Sequence, residues 1–108
     1  VVRQTEVIVT GRFRQVRVTG NSMLPTVGDG DLLLVRIGAP VRPDDLVLAR
    51  WAAQGVLSVK RAQWPEGNGW FVVSDNVVPE ARDSNHFGPA EALGVVRWRL
   101  WPRPWRLR

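Results

Sequence analysis

The chain has 108 residues, 44% of them hydrophobic and 23% charged, which is the composition of a folded domain and not of a disordered segment. It holds no Cys and one His, so disulfides, thiolate metal sites, cysteine nucleophiles and multi-histidine metal centres are excluded, and no apolar run approaches the ~20 residues that a membrane-spanning helix needs. The formal charge of +5 lies at one end: residues 1–96 carry ten basic and ten acidic residues, whereas Arg97 to Arg108 holds five Arg and no acid.

Short strands dominate the pattern. Thr5 to Thr10 is rich in β-branched residues, and Val16 and Val18 flank Arg17 in the alternation of a half-buried strand. Leu32 to Ile37 is an apolar run broken only by Arg36. Leu46 to Trp51, Val56 to Arg61, Trp70 to Ser74 and Gly94 to Trp101 complete the set. Turn clusters lie between them, among them Gly28-Asp29-Gly30-Asp31, Arg42-Pro43-Asp44-Asp45 and Pro65-Glu66-Gly67-Asn68-Gly69. Pro89 to Leu93 predicts one helical turn with Pro at its first position. The spacing predicts an all-β fold, a small partly open barrel or sandwich with at most one short helical turn. With no repeat, low-complexity tract or linker, residues 1–108 read as a single domain.

Three segments could carry chemistry. Gly20-Asn21-Ser22-Met23-Leu24-Pro25-Thr26 follows a strand end and places Ser22 at a loop mouth; taken alone, an ordinary polar turn accounts for it. Lys60 is the single lysine beside 14 arginines. Most lysines are solvated, but this one follows Val56, Leu57 and Val59, and desolvation lowers an amine's pKa until it can accept a proton. A serine hydroxyl and a neutral lysine form a minimal nucleophile–base pair. Ser74-Asp75-Asn76 and Asp83-Ser84 form polar loops, which read either as local turns or as support for such a pair. Asp83, Ser84 and His86 stand too close in sequence to face one another as a triad, so His86 reads as a surface or loop histidine.

These residues resemble the boxes of the signal peptidase I clan of Ser-Lys proteases. Gly20 to Thr26 with Gly30-Asp31-Leu32-Leu33-Leu34-Val35 resembles the nucleophile box, and Asp44-Asp45-Leu46-Val47 resembles a turn in which Asp44 replaces the usual Gly. Val59-Lys60-Arg61 resembles the general-base box, Ser74-Asp75-Asn76 the "G-D-N" box, and Asp83-Ser84 with Phe87-Gly88 the "D-S-R-x-F-G" box. Gly94-Val95-Val96 with Trp101-Pro102 resembles the closing strand, and with it the five boxes, in the clan's order, cover roughly residues 16–102 and make a specific pattern. Compact length and the absence of an anchor most resemble the small nickel-type superoxide dismutase maturation proteases. Besides Asp44, the chain departs from the pattern at Ser74, which replaces the Gly before Asp75, at Asn85, which stands where the family has Arg, and at Gly20, which stands where bacterial signal peptidases often have an oxyanion-binding Ser.

The resemblance implies the signal-peptidase catalytic-core fold and a serine endopeptidase that removes an N-terminal leader from a protein precursor, with nickel superoxide dismutase as one such precursor. Ser22 and Lys60 would be catalytic, the Ser22 N–H would hold the oxyanion, and Gly20, Ser74, Asp75, Asn76, Asp83 and Ser84 would support the site. Ser58, Ser74 and Ser84 are the candidates to orient the lysine. Met23 and Pro25 would contact the substrate. The chemistry needs no metal or cofactor; nickel, if involved, belongs to the substrate. Rival readings are a signal peptidase I core without its anchor, the self-cleaving SOS-repressor family, and a non-catalytic β-domain. The SOS-repressor proteins cut an Ala-Gly or Cys-Gly bond before their serine, and residues 1–21 contain neither Ala nor Cys.

In Arg97 to Arg108, interleaved Arg and Trp suit an anionic membrane surface better than nucleic acid, while Trp98 and Trp101 read as a final strand covering the core under Arg stems. With no signal-peptide pattern, the expected location is cytoplasmic or peripheral to a membrane, and anchored only if a segment has been removed before Val1.

Overall fold

The computed structural model describes residues 2–8 as backbone and residues 12–77 and 82–107 in full. Among the described residues, eight strands and one helical turn follow in the order β1 (Val2–Ile8), β2 (Phe13–Val18), β3 (Leu32–Ile37), β4 (Leu46–Arg50), β5 (Leu57–Glu66), β6 (Gly69–Val73), α1 (Ser84–Phe87), β7 (Glu91–Trp101) and β8 (Trp105–Arg106). All pairings are antiparallel, in one open sheet of order β1-β2-β3-β7-β4-β5-β6, with β8 on the edge of β7 that β4 leaves free. The sheet curls enough to bring β1 near β5, which makes the expected partly open all-β fold. No helix among the described residues is long and apolar enough to cross a membrane.

The curl creates two apolar clusters. Val16, Val18, Leu33, Val35, Leu48, Val59 and Val96 pack inside the curl with Met23, Val27 and Leu107. Val47, Ala49, Ala62, Val72 and Val95 pack on the other face, closed by Ala39, Trp51 and Ala90 with Phe87 against them. β4 contributes to both clusters, which is why Leu46 to Ala49 reads as an unbroken apolar run instead of alternating.

Several boundaries and one element differ from the sequence expectation. The first strand begins at Val2, and Val9 and Thr10 lie outside the described residues. β5 runs to Glu66 and β7 starts at Glu91, so both are longer than expected. Pro89 to Leu93 is not helical. Ala90 and Trp70 exchange two backbone hydrogen bonds, of 2.8 and 2.9 Å, which draw that segment into the sheet. The helical turn forms earlier, at Ser84–Phe87, because the Asp83 side chain accepts from Asn85 N and caps it.

The Trp98 and Trp101 expectation is also corrected. Period-two alternation from buried Val96 would turn Trp98 inward. However, Leu34 pairs with Trp98 and Val35 with Val96, which leaves Arg97 as an extra residue in β7. This bulge reverses the phase and turns Trp98 outward, 41% exposed; a second irregularity, at Leu100, accompanies Trp101, 54% exposed. Neither tryptophan covers the core; the Arg17 guanidinium lies over the Trp101 ring, 5.7 Å from its centroid.

Candidate active site

Ser22 and Lys60, 38 positions apart, meet at one end of the sheet. β5 places Lys60 opposite Val47 and on the same face as Ser58 and Ala62, so its side chain enters the sheet's second apolar face. It is 3% exposed. Its Nζ lies 3.3 Å from Ser22 Oγ and donates to Ser74 Oγ at 2.8 Å. Burial pushes the Lys60 pKa below the ordinary lysine value, and the charge of Asp83 pulls it part of the way back.

The nucleophile loop is held by its own turn and by the loop after β6. Gly20 sits at φ +90°, a conformation that side chains with a Cβ rarely adopt, and its N–H donates to Asp29 Oδ1 at 2.7 Å. That N–H is therefore engaged in the turn. Backbone bonds from Thr26 N and Val27 N to Met23 O wind the segment into successive turns. Met23, expected to contact substrate, instead has its side chain in the core at 2% exposure, where its Sδ accepts from Asp75 N at 3.3 Å. Pro25 is exposed on the same loop.

Ser74-Asp75-Asn76 locks onto this loop at several points. Asn76 N donates to Ser22 O at 2.9 Å, and Asn76 Nδ2 donates to Asn21 O at 2.9 Å. The Asp75 carboxylate accepts from Thr26 Oγ1 at 2.7 Å and from Arg61 Nη2 and Nε at 2.6 and 3.2 Å. Burial alone would raise the Asp75 pKa; the bonds from Arg61 and Thr26 outweigh it and hold the carboxyl below the usual value. Arg61 Nη1 also donates to Asp44 O at 2.8 Å. Asp44 has φ +75°, a glycine-like conformation at the position where the resembling turn carries Gly. Arg61 therefore ties the strand bearing Lys60 to the loop bearing Ser22, through Asp75.

Of the three serines considered as partners for the lysine, Ser74 is the one bonded to it. Ser84 Oγ accepts from Val72 N at 2.9 Å and braces β6. Asp83 caps α1, and its carboxylate acts on Lys60 through its field. Ser58 shares a strand face with Lys60 one pair away. His86, 51% exposed in α1, stands 3.8 Å from Asp83 and makes no triad. The Arg61–Asp75 pair was missed in sequence because its partners lie in different boxes; the signal that could have found it is one acid and one arginine each adjacent to a candidate site residue.

This arrangement can activate a hydroxyl. A buried amine with a lowered proton affinity lies beside a serine oxygen, and a second hydroxyl fixes the amine's direction. The family profile described as Peptidase S24-like matches residues 5–97. No curated protein and no solved structure matches the chain.

Proposed function

The chain belongs to the peptidase S24-like family, and from that premise we propose that it is a serine endopeptidase with Ser22 as nucleophile and Lys60 as general base. The observation that carries the reading is the Lys60 amine, 3% exposed and 3.3 Å from Ser22 Oγ. Neutral Lys60 takes the hydroxyl proton as Ser22 Oγ bonds to the scissile carbonyl carbon. The resulting ammonium gives that proton to the departing amine, leaving an acyl ester on Ser22. A water, deprotonated by the same amine, then attacks the ester, and the proton returns to Ser22 as the acid leaves. The Ser22 N–H holds the oxyanion, since the Gly20 N–H is committed to Asp29.

The substrate in this reading is a second protein, a precursor with an extended N-terminal leader, as the likeness of the boxes to those of the signal peptidase I clan implies. Nickel superoxide dismutase precursor is the specific candidate, supported by the likeness to the maturation proteases alone. Residues 1–108 act as a single unit, without an added cofactor. Intact-mass analysis of that precursor after incubation with the chain tests this. Wild type should remove the leader and neither Ser22→Ala nor Lys60→Arg should, because a guanidinium does not give up its proton. Cleavage by pure Ser22→Ala protein would overturn the mechanism. Cleavage of other peptides but not of this precursor would overturn only the substrate.

A further inference from the structure

We propose that the outward face of β2, β3, β7 and β8 binds an acidic peptide segment of a partner protein, at a site separate from the Ser22–Lys60 pair. The face carries a groove of about 470 Å³. Phe13, Leu34 and Trp98 give it an apolar floor, and Arg36, Arg97 and Arg106 surround it. The register explains why these side chains converge: Phe13 pairs with Arg36, Leu34 with Trp98, and Trp98 with Arg106, and paired residues project to the same side of a sheet. The bulge at Arg97 adds a further guanidinium to that side; without it Arg97 and Trp98 would project to opposite faces.

Charge decides the occupant. Strands β2, β3 and β8 and residues 92–107 contain no Asp or Glu. Among the described residues, none of Arg36, Arg97 and Arg106 is in an ion pair. Three unpaired guanidiniums around an aromatic floor suit carboxylates that flank an apolar side chain: the forks take the carboxylates and Trp98 takes the apolar group. A flat bilayer fits less well. Trp98 lies within the recess beside the arginines, and Trp105 pairs with Arg99, the next position in β7, so the exposed tryptophans do not form one belt. A nucleic acid would need a longer basic track than one groove.

The test is fluorescence anisotropy of a fluorescein-labelled Glu-Glu-Leu-Glu-Glu peptide with the full chain, beside binding to phosphatidylserine vesicles and to a single-stranded oligonucleotide. The peptide should bind, and a Lys-Lys-Leu-Lys-Lys peptide should not. Arg36→Glu with Arg106→Glu should weaken binding at least tenfold, whereas Arg42→Glu, half that charge change in a loop that does not line the groove, should alter it less than twofold. Arg36→Gln alone, an exposed single change, should weaken binding by a factor of three or more and guards against misfolding of the double variant. No peptide binding, equal loss with Arg42→Glu, or groove-dependent binding of vesicles or oligonucleotide in preference to the peptide would each overturn the proposal.

Discussion

Replacing Lys60 by Met should make the protein more stable at neutral pH while removing its proposed chemistry. The amine is 3% exposed, faces Val47 on β4 and shares its strand face with Ala62. Its polar neighbours are two hydroxyls, at 2.8 and 3.3 Å, and no carboxylate among the described residues pairs with it. In the unfolded chain this lysine holds its proton up to a pKa of about 10.4. In the folded chain burial lowers that value. Between the two values the unfolded state binds more protons, so the wild type gains stability as pH rises through this window. Below the folded value the buried charge keeps its full cost. A buried polar group with partial compensation costs about 1–3 kcal/mol in mutational series. Met has nearly the same length and adapts to its surroundings, so it leaves no large cavity. Ser22 and Ser74 are both half-buried and can turn to water when the amine is lost. The net gain at pH 7 should be about 1–2 kcal/mol, which is a rise of about 1 M in a urea midpoint at ordinary urea sensitivity. Urea unfolding of both proteins at pH 7, 9 and 10.5 reads the gap, which should narrow as pH approaches 10.5. A Lys60→Met protein less stable than wild type at pH 7, or a gap constant across the series, would refute the desolvated-amine reasoning.

Asp75→Asn should destabilise the fold by about 2 kcal/mol at pH 7, because it replaces the carboxylate that accepts two hydrogen bonds from the partly buried Arg61 guanidinium. Since the folded Asp75 pKa lies below the ordinary 3.8, this stabilisation is present above pH 3.8 and lost as pH falls through the folded value. Urea midpoints of the two proteins should therefore converge in acid. Ser74→Ala should lower kcat by about 10–100-fold with KM nearly unchanged, as expected for loss of the group that aims the base; Ser74→Thr should recover part of the rate because it keeps the hydroxyl. Steady-state kinetics on any cleaved peptide separates this from a structural defect, which would lower the active fraction without rescue by Thr.

Much of the fold was legible because its strands are short, apolar and punctuated by Gly and Pro. Leu32–Ile37 matches its predicted bounds. The errors share one physical origin, which is contacts between distant segments. Pro89 to Leu93 has the local look of a helical turn, but Trp70 offers it two sheet hydrogen bonds. Trp98 is in phase with Val96 in sequence, and only the pairing with β3 reveals the extra residue Arg97. At the site, the sequence singles out Ser22 and Lys60, one by its box and one as the only lysine, and the chain brings them to 3.3 Å. Which serine meets the lysine could not be read locally, since Ser58, Ser74 and Ser84 are equivalent as polar residues. The choice depends on the β5–β6 register and on Ser84 being taken by Val72 N. Met23 illustrates the same limit: beside a nucleophile it reads as a substrate contact, yet the winding of the loop turns it into the core.

The central claim is that Lys60 can act as a base at ordinary pH. An amine with an unshifted pKa of about 10.4 would be neutral in roughly one molecule in 2,500 at pH 7, too few for efficient proton transfer. Because the chain contains a single lysine, isotopic labelling of lysine at Cε and Nζ yields one side-chain signal with no assignment to make. Its NMR titration in the folded protein should have a midpoint clearly below 10.4, and the same signal in urea-unfolded protein should return to about that value. A folded-state midpoint at or above 10.4 would contradict the account.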